Sequence, residues 1–295
     1  MKKALIIGFA IAAIFSSCKK DEVDYAALEQ KTLDEYLQIN YPKATADNDG
    51  IYTIEATEGT GISPLPESYV LVNYTVSRIS GPLSKNVFDT NNETTARDNR
   101  LYSEQIHYTP TIWKANEMIK GIKLALNKMK EGGKAKYILP SNLAYGDKEI
   151  GYLPAYSTLI VEIELIKVID NIDVYESNII LKHIEESPLE FNLTQSGVYL
   201  AITKDGEGEK YKNGAIISLT CLGKYLDGKV FNAKSTFELT LDQNQVIPGF
   251  EAAVKELKPG SKATVIIPFK MGYGTKGKSP IKGYETLIFE LEMPN

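Results

Sequence analysis

Imidazole and thiol groups carry much of the nucleophilic and metal chemistry available near neutral pH, and this chain has few of either. Its 295 residues hold two histidines, His107 and His183, and two cysteines, Cys18 and Cys221. Two imidazoles cannot supply a histidine metal site or a Ser-His-Asp triad in each domain. Both read as surface or loop residues. The cysteines lie far apart in unlike contexts and form no disulfide framework. Cys221 falls within a strand pattern with no neighbouring charge to lower its pKa, the setting of a buried and inert thiol.

Cys18 is different, because of what precedes it. Lys2 and Lys3 lead into an apolar run from Ala4 to Phe15, then Ser16 and Ser17. The run is shorter than the roughly 20 residues a spanning helix needs, and it has the layout of a secretory signal over residues 1–17. A cysteine directly after the small residues resembles a bacterial lipoprotein signal, which implies acylation of Cys18 and a membrane anchor. Lys19, Lys20, Asp21 and Glu22 then form a charged tether that resembles a surface-exposure tag. The expected location is the cell envelope, at the outer membrane, facing either the periplasm or the exterior.

Hydrophobic residues make up 43% and charged residues 24%, the balance of a globular protein. The length suits about two domains. A formal net charge of -5 argues against nucleic acid, whose phosphates need a basic face.

The two domains are copies of one unit. Gly50-Ile51-Tyr52 with Gly59 and Gly61 recurs as Gly197-Val198-Tyr199 with Gly206 and Gly208. Val87-Phe88-Asp89 recurs as Val230-Phe231-Asn232, and Met118-Ile119-Lys120-Gly121 as Val246-Ile247-Pro248-Gly249. Tyr145-Gly146 matches Tyr273-Gly274, and Thr158-Leu159-Ile160 matches Thr286-Leu287-Ile288. A polar, helical preface stands before each copy, at 25–41 and 174–186. The first copy carries extra polar residues between Phe88 and Met118, including Asn91, Asn92, Arg97, Asp98 and Arg100, which read as a surface insertion loop.

Alternation predicts strands through Val70, Val72, Tyr74 and Val76, and through Leu159, Val161, Ile163 and Leu165. Met118, Ile122, Ala125, Leu126 and Met129 share a helical face that stops at Gly132-Gly133. Phe250, Val254 and Leu257 repeat it, stopping at Pro259-Gly260. One short helix among many strands predicts an α+β class, the helix covering one face of an antiparallel sheet. The expected divisions are a signal over 1–17, a tether and helical preface over 18–47, a first domain with insertion over 48–169, a linker helix over 170–189 and a second domain over 190–295.

At this level of detail the chain resembles the FKBP-type peptidyl-prolyl isomerases. In the second unit the resemblance rests on Leu226-Asp227-Gly228-Lys229-Val230-Phe231, Gln245 to Glu251, Lys258 to Ala263, Gly272-Tyr273-Gly274 and Thr286 to Leu291. In the first it rests on Val72 to Thr75, Val87-Phe88-Asp89, Met129 to Ala135 and Pro140 to Gly146. The resemblance implies two tandem domains, each an antiparallel half-barrel sheet wrapped around a short helix, with an apolar cavity for a proline ring. No cofactor or metal is implied.

The resemblance also implies site residues. In unit one these are Tyr74, Phe88, Asp89, Met118, Ile119, Ile122, Tyr145, Leu153 and Val161. Ile122 stands where the family usually has a tryptophan and Val161 where it has an aromatic ring. Trp113 lies elsewhere, as an insertion anchor or as core, and Asp89 has a second reading as a strand-end capping residue. In unit two the positions are Phe231, Phe237, Val246, Ile247, Phe250, Tyr273, Ile281 and Phe289, with Cys221 and Asn232 replacing the rim tyrosine and aspartate. Catalytic weight is expected on Tyr273, Phe231, Phe250, Asp89 and Tyr145. The implied activity is prolyl isomerisation of extracytoplasmic polypeptides as a folding helper, in one or both units. The alternative is an isomerase fold kept as a non-catalytic binding or chaperone module of the envelope. A surface-exposed interaction protein using the unit-one insertion is a third possibility.

Overall fold

The computed structural model describes residues 23–81 and 84–295; the signal and Cys18 lie outside them. In chain order the first unit comprises α1 (Tyr25–Asn40), β1 (Tyr52–Thr57), β2 (Tyr69–Gly81), β3 (Ser84–Thr90), α2 (Glu93–Asp98), β4 (Thr111–Lys114), α3 (Lys120–Leu126), β5 (Lys134–Leu139) and β6 (Leu159–Ile169). The second comprises α4 (Ile172–Glu186), β7 (Asn192–Leu193), β8 (Tyr199–Lys204), β9 (Ile216–Tyr225), β10 (Val230–Thr240), α5 (Pro248–Glu256), β11 (Lys262–Ile267) and β12 (Leu287–Glu292).

The two sheets share one topology. The order β1-β5-β6-β2-β3 corresponds strand for strand to β8-β11-β12-β9-β10, and every pairing is antiparallel. In unit one the counterpart of β10 is broken in two. Strand β3 pairs with the second half of β2, from Thr75 to Gly81, and β4 with the first, from Tyr69 to Val72. The insertion emerges between them.

Alternation places Leu159, Val161, Ile163 and Leu165 of β6 in the core, with Glu162 and Glu164 on the other face. The core of each unit lies between the sheet and its short helix. Helix α5 buries Phe250, Ala253 and Val254, and burying a side chain as large as Phe or Val contributes about 1.5–3 kcal/mol. Helix α3 is shorter than its apolar face suggests. It runs only from Lys120, with Met118 before it and Met129 in the turn after it, yet both still pack on the core.

The repeated glycines have a steric cause. A Cβ on Gly59 would lie 2.2 Å from the Glu131 carbonyl oxygen, and one on Gly206 would lie 2.1 Å from that of Pro259. Both approaches are to backbone, which cannot swing aside.

Each preface helix packs on the outer face of its sheet. Asp24 caps α1 by accepting from the Ala27 N–H at 3.0 Å. Leu33, Tyr36 and Leu37, spaced for one helical face, cover Ile79, Ile138 and Ile160. Asn171 caps α4 through the N–H groups of Asp173 and Val174, and Ile180 covers Ile266 and Ile288. A carboxylate fastens each helix at the same place. Glu29 accepts from the Ser141 N–H at 2.7 Å and the Thr158 hydroxyl at 2.6 Å. Glu176 accepts from the Phe269 N–H and the Thr286 hydroxyl, both at 2.6 Å.

The insertion is not the solvent-borne loop that its polarity predicts. It folds into α2, capped by Asn92, and its distal part, residues 106–111, docks on unit two. His107 lies in a loop, one of its two expected settings, but is 6% exposed, which corrects the other, a surface position. A stacking ring and the charged side chains Asp227, Lys229, Lys282 and Glu285 of unit two hold this end of the insertion.

Candidate functional site

Unit two holds a cavity of about 330 Å³ at the start of α5. Pro248 opens that helix, where its missing N–H removes no intrahelical bond. Val246 and Ile247 thereby reach the rim and Phe250, one turn on, forms the floor. Phe289 of β12 meets Phe250 edge-on at 5.0 Å between ring centres, and Phe231 of β10 meets Phe289 edge-on at 5.5 Å. Phe237 completes the wall 5.9 Å from Phe250. The T-shaped contacts set positive ring edges on negative faces, adding about 0.5–1.5 kcal/mol per pair to the burial.

The Phe231 ring sits where a glycine leaves room. A Cβ on Gly223 of β9 would lie 2.7 Å from that ring. Opposite, Tyr273 and Ile281 close the cavity with Lys278, Ser279 and Pro280. Burial pushes the Tyr273 phenol up, so it stays a protonated donor, and its hydroxyl makes no hydrogen bond to a described residue. At the remaining edge Asn232 lies 3.5 Å from the Cys221 sulfur, and burial pushes that thiol up, keeping it neutral.

The same two positions in unit one are Tyr74 and Asp89, whose hydroxyl–carboxylate hydrogen bond is 3.0 Å. Burial, then the Asp89 charge, pushes the Tyr74 phenol up. Phe88, Met118, Ile119 and Tyr145 gather half-buried on this core, and Ile122, Leu153 and Val161 are buried within it. Burial and then Asp89 also push the Tyr145 phenol up. The expected residues of unit two line one cavity, while those of unit one share one core, with Asp89 tied to Tyr74 at its edge. Trp113 of β4 is core, 9% exposed, and its ring leans on Tyr74. It stands nine residues before Ile122, as Leu241 stands nine before Phe250. Unit one carries its large ring on a strand, where unit two carries one on the helix.

Sequence reasoning missed Gly223 and the wall behind Phe231. Tyr225, fully buried, packs 5.1 Å from Phe231, and His107 of the insertion stacks on Tyr225. The Gly223 signal was present, as a lone glycine in a strand pattern. The His107 contact left none, because its partners are more than a hundred residues away.

Small α+β units with an aromatic pocket at the foot of a single short helix are what the fold and site define. The chain belongs to the FKBP-type peptidyl-prolyl cis-trans isomerase family, whose model matches residues 63–166 and again 207–294. It is 28% identical over 164 residues to peptidyl-prolyl cis-trans isomerase FKBP9 of Mus musculus, covering 55% of this chain and 26% of that protein. It is 28% identical over 148 residues to the FKBP-type isomerase FkpA of Buchnera aphidicola, covering 45% and 59%. The crystal structure of FkpA from Escherichia coli superposes with a TM-score of 0.37 at 25% identity, covering 49% of this chain and 59% of that one. The chain thus spans between a quarter and three-fifths of the length of these relatives.

Proposed function

We propose that the chain is a prolyl cis-trans isomerase that assists the folding of polypeptides outside the cytoplasm, held at the envelope by lipid on Cys18, with the unit-two cavity as its main site. The observation that carries this reading is the cavity walled by the aromatic rings of Phe231, Phe237, Phe250 and Phe289. Rotation about a peptide bond is opposed by about 18–20 kcal/mol of lost resonance. Before proline the two isomers differ by only about 0.5–1 kcal/mol yet exchange over tens to hundreds of seconds. Twisting the amide lowers its charge separation, so a water-poor aromatic site disfavours the planar amide more than the twisted one. The free Tyr273 hydroxyl supplies a hydrogen bond to a substrate carbonyl and fixes the peptide beside the ring.

The test is protease-coupled isomerisation of a proline tetrapeptide by the full chain, beside Phe250→Ala. Turnover by the wild type that is lost in the variant supports the reading, and turnover kept by the variant removes unit two as the site. A non-catalytic binding module is the second reading, favoured by Cys221 and Asn232 at the rim and by the Trp113 ring in unit one. Peptide binding at the unit-two cavity without turnover would select it.

A further inference from the structure

The unit-two cavity has a wall whose support comes from unit one. The His107 ring lies nearly parallel to that of Tyr225, with centres 3.9 Å apart and planes 12° apart. Tyr225 contacts Phe231, which contacts Phe289 and, through it, Phe250. The stack is held on several sides. His107 Nε2 lies 2.9 Å from Asp227 in the β9–β10 turn, and Nδ1 lies 3.4 Å from Glu285 in the loop before β12. Lys229 donates to the Ile106 carbonyl at 2.6 Å. Lys282, next to the cavity residue Ile281, donates to the Thr111 hydroxyl at 3.0 Å and to the Thr109 carbonyl at 3.4 Å. Four unit-two side chains thus grip residues 106–111 from two loops that flank the cavity.

We infer that the substrate pocket of unit two is a composite of both units, in which His107 is a positioning residue that fixes Tyr225 and, through it, the Phe231 wall. Three observations converge. His107 and Tyr225 are both buried. The Phe231 ring packs on the buried face of β9, over the space left by Gly223 and against the Tyr225 ring two residues on, so Tyr225 bounds where it can go. His107 Nε2 faces the Asp227 carboxylate and Nδ1 the Glu285 carboxylate, with the Thr109 hydroxyl also 3.4 Å from Nδ1, and the imidazolium form donates to both carboxylates. Docking therefore joins a charged, hydrogen-bonded ring to a buried aromatic, an orientation-specific contact rather than a greasy one. The inference rests on the reading of the unit-two cavity as the isomerase site. It assigns the insertion, which unit two lacks, to the organisation of its neighbour's pocket.

The experiment uses the full chain with 4-fluorophenylalanine at position 231, read by fluorine NMR, alongside proline-tetrapeptide kinetics. In His107→Ala the fluorine resonance should shift and broaden. The KM should rise about two- to tenfold, the scale of one lost aromatic contact, with kcat changed less. His107→Phe, which keeps the stack, should recover much of the fluorine signal and KM. Lys229→Met, which loosens the same dock without touching the stack, should give a smaller shift in the same direction and keeps the test open if His107→Ala does not fold. An unchanged fluorine spectrum in a folded His107→Ala or Lys229→Met chain overturns the inference. If the wild type turns over no peptide, the isomerase reading fails, and the fluorine spectra alone then decide whether the wall is composite.

Discussion

The Trp113 ring centre lies 4.8 Å from that of Tyr74, with the planes tilted by 45°. Both rings belong to the core of unit one, which carries Ile122 where the helix of unit two carries Phe250. Tyr74 keeps its hydroxyl on Asp89, so unit one retains the polar rim over a core packed by a strand residue. Unit two has the reverse, with an open aromatic floor and a rim reduced to Cys221 and Asn232.

Exchanging the large residue should expose this trade. Trp113→Leu alone removes part of a buried ring and should destabilise unit one by about 2–4 kcal/mol, while Ile122→Phe alone overpacks it by about 1–3 kcal/mol. Together the two should cost less than their sum, since they fill one core. Urea unfolding followed by circular dichroism gives each value. Simple additivity would show that the two positions do not share space.

Loss of the floor should dominate the chemistry of unit two. Phe250→Ala is expected to destabilise by about 3–5 kcal/mol and to remove most turnover in a peptide assay run where the variant is still folded. Asn232→Asp restores one rim group, worth about 0.5–1.5 kcal/mol, and should change the rate modestly. A larger effect from Asn232→Asp than from Phe250→Ala would put the chemistry at the rim.

Gly223→Ala should damage binding more than folding. The new methyl has room only if the Phe231 ring swings out of the wall, so peptide affinity should fall while the melting temperature drops by a few degrees, as for about 1 kcal/mol. Equal affinity in the variant would mean that the ring position does not matter to the peptide.

The dock between units should weaken as pH rises. Burial pushes the His107 pKa down, but the hydrogen bonds and charges of Glu285 and Asp227 outweigh it and hold the pKa above its usual 6.5. A folded pKa raised in this way gives stabilisation that is complete below about 6.5 and lost as pH climbs through the folded value. Asp227 is held below its usual value although burial opposes this, with His107 the leading favourable cause, so its share fades only as pH falls through that lowered value. The melting temperature difference between wild type and His107→Ala should therefore be larger near pH 6 than near pH 9. A difference independent of pH would mean that the ring docks uncharged.

Acylation is checked directly. Cys18→Ser should abolish labelling by radioactive fatty acid and release the protein from membranes. Equal membrane retention of variant and wild type would remove the lipid anchor from the proposed function.

Much of this was legible in residue order. The Thr-Leu-Ile repeats mark the start of β6 and β12, and the alternation through Val161 and Ile163 gives the buried face directly, because strand period is a local property. The convergence of Phe231, Phe250 and Phe289 follows from their places on equivalent elements. The ends of α3 were less legible, since Met118 and Met129 continue its apolar face while the backbone has already turned. His107 was illegible, for its burial depends on Tyr225 and Glu285. Polar composition around Asn91 and Arg97 describes how the insertion begins and says nothing of where its far end lands.

The paired carboxylates Glu29 and Glu176 bear on how such a chain can be shortened or inherited. Each ties a helix that the family match omits to the turn and the strand start at the back of its sheet. A fragment trimmed at residue 207 would leave the Phe269 amide and the Thr286 hydroxyl without their acceptor, and one begun at 174 would keep Glu176 but lose the Asn171 cap. Both copies carry the same latch at the same two sites, so each repeat, judged by its packing, includes its helix. Strand β6 ends at Ile169 and Asn171 already caps α4, so a cut that spares both latches falls between them.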